Sequence, residues 1–187
     1  QRQRIAVARA LLLQPKLLVT DEPVSMVDAS LRSTILKSLR ALNQDFGVPI
    51  FYITHDLTTA YHISDYIIIL YRGSVMEAGN VDSIIRDPQH PYTRLLVSSI
   101  PWPDPALPWG EALEGGGVEE IIQKSQVAFA EITGCKFAPR CPHVMDVCHT
   151  EPPALFRMEK DRAAACYLYQ DNESLARAEL NQVFVES

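Results

Sequence analysis

The sequence predicts an α/β protein with a mostly parallel sheet and helices on both faces, followed by a smaller cysteine-rich unit. Three observations support this prediction. Over residues 1–80, short apolar runs of strand length alternate with segments whose apolar residues recur every three or four positions. A stretch rich in proline and glycine begins after Ile100, and no regular element can continue through it. All four cysteines follow that stretch.

Periodicity and end signals define the elements in turn. Pro15 ends a first amphipathic helix, Gly47 supplies the cap of a second, and Asp56 can cap a third. The predicted elements, in order, are a helix over 1–14, a strand over 17–20, a helix over 30–46, a strand over 50–54, a helix over 57–63, a hairpin of strands over 66–71 and 74–78 at one edge of the sheet, a short helix over 92–99 and a weakly helical stretch over 172–185.

Composition and charge narrow the class of protein. The net charge of -6 argues against a nucleic-acid partner, because surfaces that neutralise phosphates are usually basic. Apolar runs such as Tyr66–Tyr71 are far shorter than the roughly 20 residues that cross a bilayer, so we predict no membrane span. The first residue is not Met and the chain opens within a helical pattern, so we expect a carboxyl-terminal piece of a longer protein.

Two adjacent carboxylates end the first predicted strand. Asp21 and Glu22 follow the apolar run 17–20 and precede Pro23, which stops the strand. His55 lies at the end of the next strand, and the carboxyl ends of adjacent parallel strands are where α/β proteins gather ligands. One carboxylate can hold Mg²⁺ and the other a water beside a phosphate, which is the chemistry of an ATPase. The alternatives are an ordinary turn at the carboxylates and a helix start at His55.

Four ordered motifs carry a resemblance to a known family. The first 80 residues resemble the second half of an ABC transporter ATPase, in motif order as well as in motif spacing. The matching segments are Gln-Arg-Gln-Arg-Ile-Ala-Val-Ala-Arg-Ala at 1–10, Leu-Leu-Val-Thr-Asp-Glu-Pro at 17–23, Ser-Met-Val-Asp at 25–28 and Ile-Thr-His-Asp at 53–56.

The resemblance implies a role for each matching residue. Gln1 is the last residue of the family signature LSGGQ, and Asp28 belongs to the loop that reaches across a dimer with nucleotide between its subunits. Asp21 is the Walker B aspartate that organises Mg²⁺, Glu22 is the base that polarises the attacking water, and His55 is the switch histidine that contacts the γ-phosphate of ATP.

One family motif is missing from the sequence. The chain contains no G-x-x-x-x-G-K followed by Ser or Thr, the loop whose backbone N–H groups cradle phosphates. We expect this loop to lie upstream in the full-length protein. We therefore predict that these 187 residues alone do not hydrolyse ATP.

The tail narrows the resemblance further. The segment 87–101, which contains His90-Pro91-Tyr92, resembles the extension that follows the ATPase domain in importers of oligopeptides, dipeptides and related solutes such as nickel. For His90 alone, ordinary packing is the better interpretation. The predicted organisation is the carboxyl-terminal half of an ABC ATPase domain over 1–80, the extension and linker over 81–125, and a cysteine-rich domain over 126–187.

The four cysteines leave several structures open. Cys135, Cys141, Cys148 and Cys166 are compatible with a metal site, two disulfides or four unrelated buried positions. A cytoplasmic ATPase disfavours disulfides, and the absence of paired C-x-x-C knuckles weakens zinc without excluding it. The segment resembles the cysteine-rich tail of peptide-importer ATPases, which in some members holds a four-iron, four-sulfur (4Fe-4S) cluster on four thiolates. Four thiolates complete such a cluster, so the nearby histidines are left out of the ligand set.

The leading hypothesis is the ATP-hydrolysing subunit of an ABC importer for oligopeptides, dipeptides or related solutes. The resemblance implies ATP and Mg²⁺ as ligands, a second identical or related ATPase subunit, transmembrane permeases, an indirect role for an extracytoplasmic solute-binding protein, and a peripheral position at the cytoplasmic face of the membrane. The alternative is a metal-binding or iron-sulfur regulatory module on a truncated ATPase scaffold. A third possibility, an ABC-type ATPase acting on nucleic acid, conflicts with the acidic charge and with the tail.

Overall fold

The computed structural model describes Ile5, Arg9 and residues 12–25, 27–100, 132–159 and 161–184. The chain divides into two compact units, Gln1–Ser64 and Asp65–Ser187. Ile5 and Arg9 are helical, but most of the predicted first helix, Gln1 and the whole predicted linker lie outside the described residues. The units divide at a different point from the three segments 1–80, 81–125 and 126–187, which remain a prediction about motif content.

The first unit follows the predicted alternation of strands and helices. Its elements are β1 (Leu18–Asp21), α1 (Ala29–Phe46), β2 (Ile50–Ile53) and α2 (Leu57–Ile63). Gly47 ends α1 in the left-handed conformation (φ 64°), and its N–H donates to the Asn43 carbonyl. Asp56 caps α2 as predicted, because its side chain accepts from the N–H groups of Thr58 and Thr59.

The core of the first unit lies between α1 and one face of a two-stranded sheet. β1 and β2 are parallel, with Leu18 opposite Ile50 and Asp21 opposite Ile53. The helical spacing of the apolar residues in α1 produces one buried face, and that face packs against Leu18. The buried residues of this core are Leu18, Val24, Ile35, Leu39 and Leu42.

The other face of the β1–β2 sheet is apolar and exposed. Val19, Phe51 and Ile53 are 59%, 52% and 43% exposed, respectively. Because strand side chains alternate between the two faces, these residues point away from the core. Parallel sheets are normally covered on both faces. In the part of the chain that the structure describes, the predicted helices on both faces are therefore present on one face only.

The second unit contains the predicted hairpin and most of the tail. Its regular elements are β3 (Tyr66–Tyr71), β4 (Ser74–Asn80), α3 (Val81–Arg86), α4 (Pro91–Ser98), α5 (Val147–Thr150), β5 (Leu155–Glu159), β6 (Arg162–Ala164) and β7 (Ser174–Leu175), with 3-10 turns at Ala138–Arg140, Tyr167–Tyr169 and Arg177–Val183. The sequence predicted β3, β4 and α4 but not α3, α5 or β5 to β7. Within the stretch predicted as weakly helical over 172–185, the described residues form a short strand, Ser174–Leu175, and a 3-10 helix, Arg177–Val183.

The position predicted for the hairpin is wrong. Among the described strands, β3 and β4 do not pair with the parallel strands but belong to an antiparallel sheet of order β3-β4-β6-β5-β7. The open edge of β4 pairs with β6, and Gly79 lies opposite Arg162. A side chain at Gly79 would collide with the Asp161 carbonyl oxygen, so a glycine is needed where β6 approaches.

A second core lies under this antiparallel sheet. Its buried members are Leu155, Ala163, Ala165, Leu175 and Val183, and Phe184 packs against them. No helix in the described ranges is long and apolar enough to cross a membrane.

Candidate functional site

The strand ends that carry the predicted catalytic residues are aligned. Parallel pairing places Asp21, the last residue of β1, opposite Ile53, the last residue of β2. The backbone N–H of Glu22 then donates to the Ile53 carbonyl at 2.9 Å, which extends the pairing by one residue. The sheet therefore brings the Asp-Glu pair next to the loop that begins with Thr54 and His55, as the sequence predicts.

Glu22 has an uncommon backbone conformation. Its φ is +42°, in the left-handed region that non-glycine residues rarely occupy. The turn that follows holds it, because both the backbone N–H and the hydroxyl of Ser25 donate to the Glu22 carbonyl. Such a conformation costs about 1–3 kcal/mol and is concentrated at functional sites. The sequence offered no signal for this strain beyond the proline at position 23.

Glu22 and His55 are in direct contact. Glu22 Oε1 lies 2.7 Å from His55 Nδ1, and the two side chains are 45% and 75% exposed, respectively. A polar pair this exposed contributes little to stability. Both groups are accessible to a ligand or a water, and the histidine can orient the carboxylate or share a proton with it.

The residues on either side of His55 fix its position. The N–H of Asp56 donates to Thr54 Oγ1 at 3.1 Å, and the Asp56 carboxylate caps α2. The same carboxylate lies 3.3 Å from Arg32 Nη1 on α1. Two helices and a strand end therefore hold the short loop that presents His55. The sequence predicts the cap, but no motif in it indicates the contact with Arg32.

The other predicted nucleotide-site residues have different surroundings. Asp21 is exposed at the end of β1. Asp28 is also exposed and starts α1, and its side chain makes no capping hydrogen bond to the helix. Gln1 lies outside the described residues. The roles of these three residues and of the Glu22–His55 pair remain predictions.

The four cysteines form a second candidate site, in the tail. Cys135, Cys141, Cys148 and Cys166 are all unpaired thiols and line one small cavity of about 10 Å³. This volume corresponds to roughly one water molecule. The remaining walls are mainly apolar and include Pro91, Phe137, Ala138, Met145 and Pro153. Within the described residues, no group of three or more His, Cys, Asp or Glu side chains is arranged to hold a metal ion.

Backbone N–H groups point at three of the four sulfurs. Cys135 accepts from Phe137 and Ala138, and Cys166 accepts from Leu168. In the same way, Cys141 accepts from His143. Burial raises the pKa of the Cys135 thiol, and it raises those of Cys141 and Cys166 to about 12 and about 11. Because these thiols stay protonated near neutral pH, a metal that binds here must displace their protons.

A close backbone contact joins two of the cysteine segments. The N–H of Cys135 donates to the Cys148 carbonyl at 2.8 Å. A Cβ on Gly134 would collide with the same carbonyl oxygen. The Gly134-Cys135 pair therefore allows the backbone segments of Cys135 and Cys148 to come close together.

The structure also contains a buried polar network that no sequence motif predicted. The Glu77 carboxylate is fully buried on β4 and accepts from the backbone N–H groups of Gln89 and His90, each at 3.0 Å. Arg162 on β6 is also buried, and it donates to the carbonyls of Ser83 and Asp87. The available sequence signal was a charged residue inside the small and apolar run 75–79.

Comparison with known proteins identifies relatives over most of the chain. It is 39% identical over 176 residues to YkfD of Bacillus subtilis, named as an oligopeptide transport ATP-binding protein, covering 93% of this chain and 51% of YkfD. It is 38% identical over 169 residues to BAB2_1053 of Brucella abortus, which is named as a peptide import ATP-binding protein. The aligned region covers 90% of this chain and 48% of BAB2_1053. A third relative, y4tS of Sinorhizobium fredii, is named as a peptide ABC transporter ATP-binding protein and is 38% identical over 168 residues. The aligned region covers 90% of this chain and 46% of y4tS.

A solved structure of the ATP-binding cassette MJ0796, a dimer bound to ADP and phosphate, is 32% identical, covers 43% of this chain and 34% of that chain, and has a TM-score of 0.40. The chain spans about half the length of the curated relatives it matches. Over most of its length the chain is therefore similar in sequence to ABC-type ATP-binding proteins.

More narrowly, residues 76–148 match the family described as the oligopeptide/dipeptide transporter, C-terminal region, and the relatives of the whole chain are named as oligopeptide transport or peptide import ATP-binding proteins. The family predicted from the motifs is confirmed.

Proposed function

We propose that this chain supplies the catalytic end of an ATP-hydrolysing subunit that energises an ABC importer of oligopeptides, dipeptides or related solutes. The observation that carries the proposal is the contact of Glu22 with His55 at the aligned ends of β1 and β2. The names of the relatives, which refer to oligopeptide transport and peptide import, support the class of solute.

The proposed chemistry divides among three side chains. The Glu22 carboxylate accepts a proton from the attacking water, and His55 orients that carboxylate and contacts the terminal phosphate of ATP. Asp21 holds Mg²⁺, which neutralises phosphate charge when it is bound. The strained backbone of Glu22 and the tied loop around His55 keep the two groups at hydrogen-bonding distance before the substrate arrives.

The proposal requires groups that this sequence does not contain. The phosphate-cradling loop must come from a segment outside these 187 residues. The exposed apolar face of the β1–β2 sheet supports such a segment, because a parallel sheet is stable when both faces are covered. Further proposed partners are a second ATPase subunit, contacted in part through Asp28, and permeases that hold the assembly at the cytoplasmic face of the membrane. A solute-binding protein acts indirectly.

The test is ATP turnover by the assembled importer in vesicles, with Glu22→Gln as the variant. Gln keeps the shape of the side chain but cannot accept a proton, so we expect kcat to fall by about 10²- to 10⁴-fold with little change in ATP affinity. Glu173→Gln is the matched control, because Glu173 lies in the tail, far along the chain from the strand ends. Unchanged turnover in Glu22→Gln would refute the assignment of the base.

We also propose that the cysteine cavity binds a 4Fe-4S cluster. The donor set fits, because four thiols line one apolar cavity and three of them accept backbone N–H groups, which stabilise thiolates. The cysteine spacing lacks the paired C-x-x-C knuckles common in structural zinc sites, which favours a cluster over zinc. The small volume means that the cysteine segments must separate when a cluster binds.

Anaerobic purification tests the cluster. Brown protein with broad visible absorbance and about four irons per chain would support it. Colourless protein that contains zinc would refute it. The same preparation decides the alternative function, because an iron-sulfur regulatory module would retain the cluster without any ATPase activity in the assembled importer.

A further inference from the structure

We propose that His90 is the positioning residue of the cysteine cavity: its imidazole joins the start of α4 to the backbone carbonyl immediately before Cys166. The proposal deepens the proposed metal site and rests on it for its biological meaning. It concerns the placement of thiols, so it can also be tested in protein without metal.

Both nitrogens of the buried imidazole are used. The backbone N–H of Tyr92 donates to His90 Nδ1 at 3.0 Å, so Nδ1 is an acceptor. The ring proton must then be on Nε2. The ring also has a hydrogen bond with the backbone of Ala165. The Ala165 N–H already donates to Met76, so we infer that Nε2–H donates to the Ala165 carbonyl oxygen. His90 is therefore not a metal ligand in this arrangement, since both ring nitrogens already take part in hydrogen bonds.

The peptide that His90 contacts is held on its other side as well. The N–H of Ala165 donates to the Met76 carbonyl on β4 at 2.8 Å. Cys166 follows directly, and its sulfur accepts from the N–H of Leu168. The backbone that carries Cys166 is thus fixed by a strand on one side and by an imidazole on the other.

The same imidazole touches the segment that carries Cys135. The His90 ring lies edge-on to Phe137, with centroids 6.0 Å apart. Phe137 lies in the wall of the cavity, and its N–H donates to the Cys135 sulfur. One side chain therefore contacts both cysteine segments, which are about thirty residues apart in the sequence.

Glu77 fixes the backbone from which the imidazole projects. Its carboxylate accepts from the N–H groups of Gln89 and His90, each at 3.0 Å. Charge-assisted hydrogen bonds of this kind are strong in a buried setting. The imidazole consequently has little freedom to move away from Ala165.

Two amide substitutions separate positioning from simple helix capping. Asn places its amide near the position of Nδ1, so His90→Asn keeps the acceptor for Tyr92 and loses the bond to Ala165. Gln reaches the position of Nε2, so His90→Gln keeps a donor for Ala165 and loses the cap. If His90 only caps α4, Asn should preserve the protection of Cys166 better than Gln does. If His90 positions Cys166, Gln should preserve that protection better than Asn does.

The experiment measures the alkylation rate of Cys166 by N-ethylmaleimide in the metal-free 187-residue chain, with the modified cysteine identified by mass spectrometry. We expect His90→Asn to raise this rate about 5- to 30-fold, since an unsatisfied buried carbonyl favours local opening by that factor. His90→Gln should stay within about twofold of wild type. His149→Asn is the matched control, because His149 is exposed and adjacent to Cys148.

Equal rates in the two variants, or the reverse order, would overturn the proposal. If His90→Asn does not fold, His90→Gln still decides: alkylation of Cys166 within about twofold of wild type supports the proposal, whereas a rise of about fivefold or more overturns it. Long-range ¹H–¹⁵N spectra of the wild-type chain at pH 7 that show the Nδ1–H tautomer of His90 would also overturn it. Iron and zinc contents of the wild type test the metal site separately: a metal-free wild type with the predicted order of rates refutes the metal site and supports the role of His90.

Discussion

Acidification should weaken the second unit through His90. Burial lowers the pKa of its imidazole from 6.5 to about 4. Between these two values the unfolded chain binds a proton that the folded chain does not, so the free energy of unfolding falls as the pH falls. Each pKa unit corresponds to about 1.4 kcal/mol, so the full depression from 6.5 to about 4 corresponds to a loss of about 3 kcal/mol between pH 7 and pH 4.

Glu77 acts in the opposite direction and must be separated from this effect. Burial raises the pKa of its carboxyl above 4.5, so the folded state binds a proton more readily than the unfolded state does. Its contribution to stability is present at low pH and is lost as the pH rises through the raised pKa. The His90→Gln variant keeps Glu77 but removes the imidazole, so the difference between the two proteins reports His90 alone.

The assay is urea unfolding of both proteins at pH 7, 6, 5 and 4, followed by the NMR amide signal of Ala163 in β6. This signal reports on the second unit, where Ala163 is fully buried. We expect the stability advantage of the wild type over His90→Gln to shrink by about 3 kcal/mol between pH 7 and pH 4. A difference that does not depend on pH would refute the reasoning, because it would mean that His90 titrates equally in the folded and unfolded states.

Three glycine substitutions separate steric collision from backbone strain. Gly134→Ala should push Cys135 away from the Cys148 carbonyl, which would be measured as faster alkylation of Cys135 and about 1–3 kcal/mol lower stability. Gly79→Ala should destabilise the pairing with β6 by a similar amount, measured by hydrogen exchange of the β4 amides. Gly47→Ala meets no neighbouring atom, so it should cost only about 1 kcal/mol, from its left-handed conformation, and leave both other readouts unchanged.

Local signals predicted the first unit well. The ends of α1 and α2 depend on residues at or beside those ends, such as Gly47 and Asp56, and the structure has both helices where these residues predict them. The second unit was harder to predict because its sheet depends on pairing between strands that are far apart in the sequence. β6 is three residues long, and nothing in its composition indicates that β4 is its partner. Short strands whose pairing spans more than eighty residues leave no periodic signal.

The candidate sites also include one part that the sequence predicted and one part that it did not. Glu22 and His55 were predicted because each stands at the end of its own strand, and parallel pairing brings the two together. The Glu77 network was missed because its partners are backbone N–H groups, which no side-chain motif reveals. His90 was interpreted as ordinary packing. The structure agrees that it is buried and supplies the hydrogen bonds that the sequence could not.

The pairing of β4 with β6 changes how a truncation should be interpreted. Removing the tail after residue 100 would leave the inner edge of β4 with unpaired backbone groups and would expose Ala78, which is now fully buried. The shortened protein would tend to aggregate through that edge whether or not the cysteines matter. A loss of transport after tail deletion would therefore say nothing about the cysteine cavity, whereas point substitutions at the cysteines would.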